Sequence, residues 1–143
     1  MPAAGVRHYQ MFVDGDLVDA DKTFSVVNPS TTEVISEVPS GTEADVNAAV
    51  EAAGRAQQHW RKLPAIARAG YLREIAQLVR NNRDELAAVI TEEQGKILSL
   101  AEVEVDFSAD YIDYMAEFAR RYEGEIIQSD RPGENIQIGR AHV

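Results

Sequence analysis

The chain has 143 residues, 45% hydrophobic and 27% charged, an ordinary globular composition with enough length to bury a core. Its net charge of −10, from 24 acids against 14 bases, argues against a phosphate backbone or an anionic membrane surface as partner. It has no cysteine, which removes disulfides, thiolate metal sites and a thiol nucleophile.

No apolar run approaches the roughly 18 residues of a membrane span, and residues 1–10 lack the apolar centre of a secretory signal. The cytoplasm is the expected compartment. Residues 1–8 carry no pattern and are expected to be a loose arm. From Tyr9 the texture is that of short strands. Met11–Val13 and Leu17–Val18 flank Asp14-Gly15, a hairpin turn signal. Thr23–Val27 is β-branched and aromatic, and Asn28-Pro29 ends it. Glu33–Val38 alternates, with Val34, Ser36 and Val38 on one face, before Pro39-Ser40-Gly41 closes the region.

The period then becomes helical. Thr42 with Asp45 is an N-cap signature, and Val46, Ala49, Val50, Ala53 and Trp60 follow at helical spacing. Pro64 fits the first turn of a second helix, with Leu72, Ile75, Ala76 and Val79 predicted as its buried face. Asn82 with Glu85 is expected to cap a third helix, with Leu86, Val89 and Ile90 inward and Gly95 as its left-handed end.

The fourth helix, Ser99–Tyr122, organises the rest. Leu100, Val103, Phe107, Tyr111, Tyr114, Phe118 and Tyr122 recur at steps of three and four, which places them on one face. Ser99 with Glu102 reads as its capping box and Gly124 as its stop. Asp110, Asp113, Glu117, Arg120 and Arg121 are expected to pair along its surface. The aromatic stripe needs cover, and the rest of the chain is expected to provide part of it. Yet no long β-branched run supplies a central sheet, so the helices look like the outer layer of something absent. Glu125–Gln128 and Asn135–Ile138 are two further strand-like pieces around Pro132-Gly133.

Little in this pattern carries chemistry. His8, His59 and His142 are not spaced as metal ligands, and no nucleophile elbow, phosphate loop or GxGxxG is present. The acidic pairs read as solvated surface and the tyrosines as core residues with a polar tip. On these grounds no catalytic and no cofactor-binding residue is assigned.

Three stretches carry a resemblance. Val26-Val27-Asn28-Pro29-Ser30-Thr31, then Trp60, then Glu93-Gln94-Gly95-Lys96 resemble the opening of the aldehyde dehydrogenase superfamily, in that order. Leu100 through Asn135 resembles the subgroup acting on lactaldehyde or glycolaldehyde. The resemblance covers roughly residues 9–136. It implies an α/β fold: short hairpin strands, four helices from the NAD-binding domain, then the start of a β arm used for oligomerisation. Residues 1–124 would be the N-terminal part of that domain and 125–143 the start of the arm. Beyond Ile136 the pattern is lost. Residues 138–143 are expected to be a non-native tail, since their codons can spell a common sequencing-library adapter.

The resemblance further implies a chain more than three times this length. Its cysteine nucleophile, glutamate base and NAD site all lie downstream of residue 143. The whole protein is expected to be a homotetramer oxidising a small aldehyde with NAD; this chain alone is expected to be inactive. The family's monovalent-cation site would match Glu93, with backbone oxygens from Val26 and Val27. Helix ends gather unpaired carbonyls that suit a hard cation. Three other readings stay open. One is a fragment of a succinate-semialdehyde or betaine-aldehyde type dehydrogenase. Another is a free-standing acidic helical binding module. The last is a regulatory subunit that assembles with a complete enzyme.

Overall fold

A computed structural model describes residues 5–121 and 123–139. Five short strands come first: β1 Arg7–His8, β2 Met11–Val13, β3 Asp16–Val18, β4 Thr23–Val27 and β5 Val34–Pro39. Four helices follow: α1 Glu43–Trp60, α2 Ala65–Asn81, α3 Arg83–Gln94 and α4 Leu98–Ala116, the last continued by a 3-10 turn over Glu117–Arg120. Two strands end the chain, β6 Glu125–Gln128 and β7 Asn135–Ile138. This mixed α/β order is the one expected from the sequence.

The strands obey their local chemistry. Asp14 and Gly15 both take positive φ, 56° and 93°, as a two-residue hairpin loop demands, and β2 pairs antiparallel with β3 from Met11↔Val18 to Val13↔Asp16. A second sheet has the order β1-β5-β4, with β4 antiparallel and β1 parallel to β5. The expected loose arm is therefore shorter than residues 1–8. Arg7 and His8 pair with Ser36 and Glu37, because the edge of β5 offers backbone partners that a two-residue strand can take. The Arg7 guanidinium then reaches Glu92 of α3 and ties sheet to helix. After β4 the chain turns on Asn28. Its side-chain oxygen accepts from the Ser30 and Thr31 amides at 2.9 and 3.3 Å, an Asx turn.

α1 begins as predicted. The Asp45 amide donates to the Thr42 hydroxyl, while Asp45 Oδ2 accepts from the Thr42 amide and hydroxyl at 2.7 and 2.8 Å. Those two bonds, the backbone one first, hold the Asp45 carboxyl below the usual carboxylate range. The apolar residues at helical spacing along α1 do not form a buried face. Only Ala52 is buried, while Val46 and Val50 stay 59% and 65% exposed. Pro64 precedes α2 as its N-cap residue rather than sitting in its first turn. The Asn82 side chain does not cap α3; its Nδ2 donates back to the Leu78 carbonyl at 2.8 Å and closes α2 instead.

α2 and α4 run antiparallel, and alanines let them approach closely. Ala69 and Ala76 on α2, Ala87 on α3, and Ala101, Val105, Ala109 and Ala116 on α4 form the buried centre. Ile75 and Leu86, expected inside, are 47% and 38% exposed, while Ala76 is buried and Val79 and Ile90 pack against Ala87, Ala101 and Val105 as expected. The charges on α4 also face inward to neighbours. Arg83 reaches Glu102 and Asp106, and Arg80 holds Asp110 and Asp113 at 2.8 Å each. Of the expected pairs along α4, Glu117–Arg121 is present, at 3.6 Å. Its capping box is absent, because the helix already starts at Leu98 and Glu102 is taken by Arg83.

The largest departure is the aromatic stripe. It faces solvent: Phe107 is 68% exposed, Tyr111 and Tyr114 51% each, and Phe118 41%. The described residues do not supply the cover the sequence called for. The regular helix ends at Ala116, well before Gly124. Gly124 serves a close approach: a Cβ there would lie 2.4 Å from the Ile138 carbonyl oxygen, at the end of β7. β6 and β7 form a separate exposed ribbon with Ile127 opposite Ile136. Tyr122 and residues 140–143, most of the expected tail, lie outside the described residues.

Gly95 ends α3 at φ 70°, as expected, and a Cβ there would sit 3.0 Å from Pro29 Cγ. Gly95→Val combines a left-handed β-branched residue with that crowding. It should lower stability by about 2 kcal/mol or more, measured by urea unfolding of the chain.

Candidate functional site

Two places answer to the functional expectations. The first is the C-terminal end of α3. Gly95 packs on Pro29, so this helix end rests on the turn that follows Val27. That contact joins Gly95, two residues after Glu93, to Pro29, two residues after Val27. Glu93 is exposed, Val27 44% exposed, and the helix end carries the orphan carbonyls any α-helix leaves there. No group of three or more His, Asp or Glu side chains converges among the described residues. His8 lies in β1 and His59 near the end of α1; His142 is outside the described residues.

The second is an apolar surface along α4. Its rings form a ladder, with centroid separations of 6.5 Å for Phe107–Tyr111, 6.2 Å for Tyr111–Tyr114 and 5.4 Å for Tyr114–Phe118. Four adjoining exposed aromatics exceed the scattered apolar residues normal on a surface and mark a contact face. The stripe runs into a pocket of about 350 Å³ between the start of α2 and the end of α4, lined by Trp60, Ala69, Leu72, Met115 and Phe118. Arg68 stands in its wall. Sequence reasoning passed over Arg68. The available signal was a cation three residues after Ala65 and four before Leu72, a spacing that puts it on their side of α2.

Short opening strands are followed by four helices, and the aromatic face of α4 is exposed. The family model for the aldehyde dehydrogenase family matches residues 17–141, and the chain belongs to that family. It is 58% identical to lactaldehyde dehydrogenase of Escherichia coli (strain K12) over 135 residues, 93% of this chain and 28% of that protein. The crystal structure of the Escherichia coli lactaldehyde dehydrogenase superposes with a TM-score of 0.87 at 56% identity, covering 92% of this chain and 28% of that one. The chain is 44% identical to 3,6-anhydro-alpha-L-galactose dehydrogenase of Vibrio sp. (strain EJY3), over 93% of its length and 28% of the relative's. An NAD-dependent aldehyde dehydrogenase from Sinorhizobium meliloti aligns at a TM-score of 0.83 and 32% identity, covering 91% of this chain and 27% of that one. The chain therefore spans little more than a quarter of the length of the relatives it matches.

Proposed function

We propose that the chain is the N-terminal part of an NAD-dependent aldehyde dehydrogenase whose substrate is a small 2-hydroxyaldehyde, lactaldehyde or glycolaldehyde. The observation that carries this reading is the bare aromatic face of α4 in a chain 58% identical to a lactaldehyde dehydrogenase over 28% of its length. Residues up to 124 supply the outer helices of the cofactor domain. The ribbon from Glu125 begins an arm that joins subunits into a homo-oligomer. In the whole protein a downstream cysteine thiolate attacks the carbonyl carbon, and water later releases the acid. NAD, when bound, accepts the hydride; none of its contacts is assigned to this chain. The cytoplasm is the proposed compartment. No described helix is long and apolar enough to cross a membrane.

The test is the complete protein, assayed for NADH formation with lactaldehyde, glycolaldehyde, succinate semialdehyde and betaine aldehyde. A preference for the first two supports the reading. A preference for either of the others leaves the family standing and removes the subgroup.

Glu93, with the carbonyls of Val26 and Val27, is proposed to hold a monovalent cation, the remaining oxygens coming from downstream residues. The fit rests on the α3 end lying against the turn after Val27 and on the preference of hard cations for oxygen. Potassium or sodium should raise the thermal midpoint of the complete protein, and Glu93→Ala should abolish that rise. An unchanged salt response in the variant removes the site.

A further inference from the structure

We draw no further inference here: the strongest candidate, the outward side of α2 where Tyr71, Ile75 and Leu78 stand exposed beside Trp60, is an unpartnered apolar face, and nothing in the structure shows what covers it.

Discussion

Mixed with NAD and lactaldehyde, the 143-residue chain should produce no NADH above a protein-free blank. The expectation is chemical. Under the proposed function, aldehyde oxidation passes through a covalent bond from a thiolate to the carbonyl carbon, and the chain contains no cysteine. No serine sits in a recognisable nucleophile motif. The three histidines are dispersed along the chain, and the pocket beside α4 is lined by alanines, Trp60, Phe118, Leu72, Met115 and one arginine. The effect is the largest available, since enzymes of any class owe about a millionfold or more of rate to their assembled site. Joining the chain to the downstream part of a lactaldehyde-type dehydrogenase should restore turnover. NADH formation by the short chain alone would overturn the assignment of the chemistry.

Phe107→Ser should destabilise the complete protein and leave the 143-residue chain nearly unchanged. In the short chain Phe107 is 68% exposed, and its ring stacks beside that of Tyr111 at a centroid distance of 6.5 Å. Serine and phenylalanine have similar helix propensities, so the loss there should stay near 0.5 kcal/mol. Under the proposed function the same ring is covered by the rest of the cofactor domain. Removing a buried phenylalanine side chain costs about 3–5 kcal/mol, and here a hydroxyl is also left in the gap. Urea midpoints of both forms, each with and without the substitution, make the comparison. Equal small shifts in the two forms would mean that the stripe remains uncovered in the whole protein.

Much of the local structure is legible in the residues. Asp14-Gly15 dictates its hairpin, Thr42 with Asp45 starts α1, and Gly95 ends α3, because each depends only on neighbours in sequence. Failures occur where a residue has two possible partners. Asn82 could cap α3 or close α2, and it bonds the Leu78 carbonyl. Glu102 could cap α4 or pair with Arg83, and it pairs. The inner faces were misread for a different reason. Periodicity shows that α4 has an apolar stripe but not what lies across from it. The bulky stripe faces outward, and the contacts within the chain pass to Ala101, Val105, Ala109 and Ala116. The family was legible because its motifs are contiguous. The Arg68 pocket was not, because it is assembled from α2 and the end of α4, far apart in sequence.

The alanine-rich seam also bears on the order of events during synthesis. α2, α3 and α4 are consecutive, and their mutual contacts lie within residues 65–116, so no long loop must close before they meet. Such a unit can settle within milliseconds, whereas a ribosome adds only about 5–20 residues each second. Under the proposed function, the helical layer would then be complete long before the downstream part of the protein leaves the ribosome. Its aromatic ladder would wait in water for that time, open to whatever apolar surface arrives first. Chaperone demand for such a protein should accordingly peak in mid-translation, and slow codons just beyond this region should raise aggregation rather than relieve it.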